Sequence, residues 1–493
     1  MLFNFKKYIF ILFILVNTNS FTQEVITKPT NKIQILADEI ANYHGLRHAA
    51  FSFYVTNIDD NSVVADINSQ MSIPAASTMK LVTTATAIKI LGSKYRFTTK
   101  LSYSGYIDST THTLHGDLYI IGGGDPTLGS KYYNKKGKER TFLAKWADTL
   151  YHSGIHSIEG RVIADASIYK YQGVPSGWVW GDLGNYYGAG PSGLTIFDNI
   201  LKLHFKTGQN IGDSTQLICT HPYIPNLTIH NQVTSAKSKR DNAYVYSSPY
   251  SNFMFVKGSL HQKEDDFMVK GTIPDPEFVF AYELDYALEK AGIKVKYYPS
   301  TNRLLLNDST YTKPEQKTIY THKSPSLTSI INWTNQRSVN LFAEHLLCQI
   351  SVKRNGYGST YNGTLITQAY WRNKIDASGL FMTDGSGLSR SNAVNAKFFI
   401  ELLNYMKSSK TLKNSLAIAG KKGTMASIGR NTSASGRVIG KSGTMTRMKA
   451  YTGYVTTKTG KHLAYAMIIN NYNCRTSDVK KYFQAIMVKM AEY

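Results

Sequence analysis

Residues 74–80, Pro74-Ala75-Ala76-Ser77-Thr78-Met79-Lys80, put a hydroxyl and an amine where a helix begins. Behind them Leu81, Val82, Ala85, Ile88 and Leu91 recur at helical spacing and Gly92 closes the run. This predicts a helix of about three to four turns with Ser77 in its first turn. Residues three apart share a helix face, so the Lys80 amine can reach the Ser77 hydroxyl, while the helix N-terminus favours negative charge on that oxygen. The two read as a nucleophile with its base. A lysine acts as a base only when its pKa is lowered, which burial and a second nearby cation can do. That cation has to come from elsewhere in the chain.

Alone, Ser-x-x-Lys is a weak signal, and a capping serine beside a solvated lysine is the commoner reading. Two further motifs narrow the reading. Ser338-Val339-Asn340 opens a second helical run with Leu341, Phe342, Leu346 and Leu347 as its apolar positions, and Arg437-Val438-Ile439-Gly440 leads as a strand into Lys441-Ser442-Gly443-Thr444. Three motifs in this order resemble those of penicillin-binding proteins and serine β-lactamases, Ser-x-x-Lys, Ser-x-Asn and Lys-Thr/Ser-Gly. Roughly 260 residues separate the first two motifs, a much longer interval than in class A β-lactamases. With the strings Ser338-Val339-Asn340-Leu341-Phe342-Ala343-Glu344 and Asp384-Gly385-Ser386-Gly387-Leu388-Ser389-Arg390, the insertion resembles the class C low-molecular-mass penicillin-binding proteins, the D-alanyl-D-alanine carboxypeptidase/endopeptidase family. Within the insertion the likeness is carried by residues 116–119, by Gly122-Gly123-Gly124-Asp125-Pro126-Thr127-Leu128 and by Trp178-Val179-Trp180-Gly181-Asp182.

The resemblance implies a site. Ser77 attacks the carbonyl between two D-alanines, Lys80 takes the hydroxyl proton, Ser338 bridges Lys80 and the leaving amine, Lys441 supplies the second positive charge, and Asn340 orients Lys80 and the substrate amide. The backbone N–H groups of Ser77 and Thr444 form the oxyanion hole, where one lost donor typically costs about 3 kcal/mol. The hydroxyls of Ser442 and Thr444, on either side of Gly443, take the free carboxylate; Ser442 stands where threonine is commoner. Related enzymes hold the amine of a diaminopimelate side chain with an aspartate after a tryptophan-rich turn, which Trp178, Trp180 and Asp182 match. Met445 is a candidate wall of the same pocket, with Tyr186 and Tyr187 closing it. The plainer alternative makes both tryptophans core and Asp182 the cap of a turn.

From its start, the chain sets Lys6 and Lys7 before an apolar run at residues 8–16, too short to span a bilayer, so residues 1–20 are read as a secretory signal peptide and the destination as the periplasm. Some 470 residues then remain, and the full chain's hydrophobic content of 42% is ample for buried cores. Cys219, Cys348 and Cys474 are odd in number and lack metal-ligand spacing, so at most one bridge can form and neither metal nor cofactor is expected. The net charge of +23 is dispersed, which suits an anionic cell wall or membrane surface; export and the lack of any recognition motif argue against nucleic acid. The partners expected are peptidoglycan stem peptides, with β-lactams as covalent inhibitors; the oligomeric state stays open.

A helix at 33–41, strands at 49–55 and 62–68, strands at 450–455 and 462–470 and a final helix imply that both chain ends build one α/β (α+β) domain, an antiparallel sheet flanked by helices. This transpeptidase-like domain is assigned to 21–94 and 316–493. A β-rich insertion of two modules splits it, one at 95–194 and 273–315 and a nested one at 195–272, with strands expected at 114–121, 160–164, 200–205 and 253–256. Several look-alikes are set aside. Lys458-Thr459-Gly460 reads as a hairpin tip, Lys422-Gly423-Thr424-Met425 has no strand leading into it, residues 122–125 lack the Gly-Lys-Ser/Thr of a phosphate loop, and Glu344-His345 lacks the second histidine of a zinc helix. Two rival functions remain: a serine β-lactamase, which would deacylate rapidly, and a non-catalytic wall-binding protein on the same fold.

Overall fold

The computed structural model describes residues 31–493, so the expected signal peptide lies outside the described residues. The two chain ends meet in one six-stranded antiparallel sheet. Its order is Val63–Ile67, Ala50–Asn57, His462–Asn470, Met448–Thr456, Val438–Met445 and Ala417–Ile418. Strand side chains alternate between faces, and the strand His462–Asn470 shows why its sequence is apolar throughout. Leu463, Tyr465, Met467 and Ile469 enter a core with the helices Lys32–Ala41 and Thr476–Glu492, through Ile33, Ala37, Phe483 and Met487. Ala464, Ala466 and Ile468 enter a second core with the helices Lys80–Leu91 and Ala396–Tyr405, through Leu81, Ala85, Phe399 and Leu402. A strand buried on both faces needs helices on both sides, and it has them.

The insertion begins where the strand Thr98–Tyr103 leaves the helix Lys80–Leu91 behind. A five-stranded mixed sheet runs Ser300–Thr301, Val162–Asp165, Leu118–Ile121, Thr98–Tyr103 and Lys317–Lys323, beside a four-stranded one of short strands. The strand Lys317–Lys323 lies beyond the expected division at 315/316, yet it pairs with Thr98–Tyr103, so the inserted sheet reaches across that boundary. The expected strand 114–121 is two, Thr113–His115 and Leu118–Ile121, in different sheets.

The insertion is made mostly of short strands, as expected, but two longer helices that were not expected stand among them. In Thr141–His152, Leu143, Trp146, Ala147 and Leu150 form a buried stripe. Pro276–Lys290 starts with Asp275 accepting from the Phe278 N–H at 3.2 Å and with proline in its first turn, and it ends with Lys290 beside the helix C-terminus. Within 200–272 lie two three-stranded sheets, one of Gln216–His221, Ile200–Lys206 and Phe267–Thr272, the other of Thr228–Ala236, Phe253–His261 and Tyr244–Tyr246. Their inner residues Leu203, Phe205, Val245 and Val256 share one core with Trp146 and Phe280 of the surrounding module. All three cysteines are free thiols.

Candidate active site

Ser77 lies in a 3₁₀ turn, Ala76–Met79, that runs directly into the helix Lys80–Leu91. Ala76, immediately before the serine, has a φ of 47°, and Ser338 has a φ of 58°. Left-handed backbone at residues with side chains is strained by about 1–3 kcal/mol each, and packing must hold it. For Ala76 the packing is visible. Gly387, itself at φ +79°, brings its backbone so close that a Cβ there would stand 2.0 Å from the Ala76 carbonyl oxygen. On the other side the strand Val438–Met445 presses in through Gly443, where a Cβ would meet the Ala75 oxygen at 2.5 Å and the Ser77 nitrogen at 3.1 Å. Gly443→Ala should therefore push the strand off the serine turn, costing about 1–3 kcal/mol of stability. Acylation should slow even where denaturation shows the protein still folded, which comparison of the two measurements would reveal.

Lys80 is fully buried, and its Nζ makes three hydrogen bonds: to Ser77 Oγ at 3.0 Å, Asn340 Oδ1 at 2.6 Å and the Ser386 carbonyl at 2.7 Å. Asn340, at the start of the helix Asn340–Asn355, is oriented by donating its Nδ2–H to the Tyr187 carbonyl at 2.8 Å. Lys441, also fully buried, donates to Ser338 Oγ at 2.9 Å and to the Ser442 carbonyl at 2.7 Å. Ser338 is thus bonded to Lys441 rather than to Lys80. Ser442 Oγ donates to Thr424 Oγ1 at 2.7 Å, so the Lys422–Met425 look-alike, a 3₁₀ turn and not a motif strand, nonetheless touches the site.

Burial pushes the Lys80 amine down to about 7, against the upward pull of Asp384 and then Glu344. Lys441 is driven well below the usual lysine range by burial first, then by repulsion from Lys80 and Lys449. Burial is thus the main cause for both, with cation repulsion second for Lys441.

Behind Lys80 lies a buried carboxylate frame that the sequence did not single out. Asp384 accepts from Trp178 Nε1 at 2.8 Å, Gly387 N at 2.7 Å, Ser389 N at 2.6 Å and Asn392 Nδ2 at 2.8 Å. Glu344 accepts from Gly385 N at 3.1 Å and Ser386 N at 2.8 Å. Burial and then the charge of Asp384 push Glu344 up to about 8. Together the two acids hold the 384–390 loop so that the Ser386 carbonyl faces Lys80.

The cleft in front of Ser77 is lined by Asp182, Tyr187, Asn340, Arg390, Thr444 and Met445, among others. Asp182 sits on the short turn Trp180–Leu183, with Arg390 Nη1 at 3.4 Å from its carboxylate. The nested module braces this segment: Thr272 donates through its N–H to Gly184 O at 2.9 Å and through its hydroxyl to Leu183 O, and Val245 N–H donates to Asn185 Oδ1 at 3.1 Å. Neither tryptophan lines the cleft. Trp178 is buried, because its indole N–H is committed to Asp384, and Trp180 is 53% exposed beside Tyr246. Tyr186 is exposed as well, leaving Tyr187 as the tyrosine at the cleft.

Comparison with known proteins gives the family and the fold. Residues 33–493 match the D-Ala-D-Ala carboxypeptidase 3 (S13) family. The chain is similar to a D-alanyl-D-alanine carboxypeptidase of Actinomadura sp. (strain R39), 28% identical over 435 residues, covering 85% of this chain and 77% of the relative. It is also similar to the D-alanyl-D-alanine carboxypeptidase DacB of Haemophilus influenzae, 25% identical over 438 residues and covering 85% of each. The crystal structure of penicillin-binding protein 4 (dacB) from Haemophilus influenzae superposes with a TM-score of 0.80 at 22% identity, covering 94% of this chain and 100% of that one. A second crystal structure of it, complexed with a β-lactam, gives 0.75 at 21% identity over the same shares. The fold is that of a penicillin-binding protein with additional sheets.

Proposed function

Because this chain belongs to the D-Ala-D-Ala carboxypeptidase 3 (S13) family of serine carboxypeptidases, we propose that it is an exported peptidoglycan DD-peptidase acting on stem peptides in the periplasm. It removes the terminal D-alanine, cuts D-alanyl-diaminopimelyl cross-links, or both, through an acyl-enzyme that β-lactams trap. The observation that carries this reading is the bonding of Lys80. A neutral amine has two N–H donors and one lone pair. Asn340 Oδ1 and the Ser386 carbonyl are both acceptors without a hydrogen to offer, so they take the two donors and turn the lone pair on Ser77, 3.0 Å away.

In this mechanism Ser77 Oγ attacks the carbonyl of the penultimate D-alanine as its proton passes to Lys80. The oxyanion is held by the backbone N–H groups of Ser77 and Thr444. The leaving amine takes its proton from the Ser338 hydroxyl, which takes a replacement from Lys441 at 2.9 Å. The Thr444 hydroxyl holds the terminal carboxylate, and the Ser442 hydroxyl joins it by turning away from Thr424, to which it donates in the free protein. Asp182 with Arg390 beside it offers one anion and one cation to the amino-acid end of a diaminopimelate side chain. Water then releases the acyl group, its proton passing through Ser338 back to Lys441 while Lys80 returns its proton to Ser77.

Intact-mass spectrometry of the mature protein with benzylpenicillin, alongside assay of D-alanine release from a stem pentapeptide, tests the reading. A lasting one-to-one adduct on the peptide bearing Ser77, with D-alanine released, is the expected result. An adduct lost within seconds would indicate a β-lactamase instead. No adduct would leave a wall-binding protein.

A further inference from the structure

Lys449 stands directly across from Thr444 in the antiparallel pair formed by Val438–Met445 and Met448–Thr456. Directly opposite residues project to the same sheet face. Its Nζ donates to Thr444 Oγ1 at 2.5 Å and lies 4.9 Å from the centre of the Tyr451 ring. The side chain is 9% exposed, and among the described residues no carboxylate lies within ion-pair distance of it. Lys441 on the neighbouring strand is likewise buried and has no carboxylate partner among the described residues. Two buried amines without an anion therefore flank Ser442, Gly443 and Thr444. Buried charges are costly unless paired, so this end of the sheet is built to receive a negative group.

The hydroxyl of Thr444 connects that demand to the cleft. Having accepted from Lys449, it has its own hydrogen left to give, and Thr444 lines the cleft in front of Ser77. A hydroxyl that accepts from a cation is a stronger donor than a free one. We infer that Lys449 is a positioning residue for the substrate's terminal carboxylate, orienting and polarising the Thr444 hydroxyl that binds it and supplying positive charge behind it. The inference rests on the peptidase reading above. Burial and then Lys480 bring the Lys449 amine down to about 8, which leaves it largely protonated at neutral pH.

The test compares acylation of the full mature protein by benzylpenicillin, which carries a carboxylate, with acylation by its methyl ester, which does not. Rates are followed to saturation, so that the half-saturating concentration and the limiting rate are obtained separately. Lys449→Met should raise the half-saturating concentration for benzylpenicillin about tenfold, the scale of a hydrogen bond supported by a charge. The limiting rate should hardly change, the methyl ester should lose nothing, and Lys449→Arg should recover most of the loss. An equal loss with both compounds would make Lys449 merely structural and overturn the inference, as would no loss with either. Failure of the unaltered protein to react with either compound would instead bring down the peptidase reading, and this role for Lys449 with it.

Discussion

A Lys80→Met protein should fold and yet be acylated by benzylpenicillin about a thousandfold more slowly, the scale of a lost general base. Methionine matches the length of the buried stem and has no proton to exchange. The thermal transition should fall only modestly, because relief of the buried amine's desolvation cost offsets part of the loss of its donors to Asn340 Oδ1 and the Ser386 carbonyl. The pH profile supplies the sign. Lys80 is a base only when neutral, and its amine is brought down to about 7. In the unaltered protein acylation should therefore level off above pH 7 and fall about tenfold per pH unit below it. In Lys80→Met that acid limb should vanish together with the rate. A limb that persisted would assign the titration to another group.

Removing the Asp384 carboxylate should have the largest effect on stability. Four donors converge on it: the Trp178 indole, the backbone N–H groups of Gly387 and Ser389, and the Asn392 amide. All lie in the buried interior behind Lys80, where a donor left without an acceptor costs about 1–3 kcal/mol. Asp384→Ala should thus lose about 4 kcal/mol or more in chemical denaturation. Acylation should fall as well, since the loop that offers the Ser386 carbonyl to Lys80 loses its anchor. Asp384→Asn separates charge from shape. The Asp384 charge favours the protonated form of Lys80, so its loss should move the acid limb of the acylation profile to lower pH. A limb shifted toward higher pH would contradict the electrostatic role.

The sequence was most readable where function depends on local spacing. Ser77 and Lys80 are one helical turn apart, and the strands 450–455 and 462–470 differ from those observed by at most two residues at an end. Carboxylates acting on distant backbone were not readable. Glu344 holds Gly385 and Ser386 about forty residues away, a relation with no periodicity or spacing to betray it. Trp178 misled for a related reason. Aromatics near a candidate acid suggest a binding wall, but an indole N–H must find an acceptor when buried, and here the acceptor is Asp384. The helix Pro276–Lys290 was a different kind of miss. Its signals, Asp275 then Pro276 at the start and Lys290 at the end, stood in the sequence and were outweighed by the turn-rich stretches around them.

The way the central sheet closes also bears on how the molecule comes into being. The strand Ala50–Asn57, made early, pairs with His462–Asn470, made roughly 400 residues later, and Met448–Thr456 and Val438–Met445 join the sheet only through that late strand. A growing chain therefore holds its nucleophile long before it has the strand with Lys441, Gly443 and Thr444 against which that serine is set. The inserted module, whose sheets close among residues 98–323, can gather its core in the interval. Synthesis thus imposes an order on competence: the hydrolase stays unassembled while its chain is still emerging from the ribosome, and strands made late are the ones that arm it.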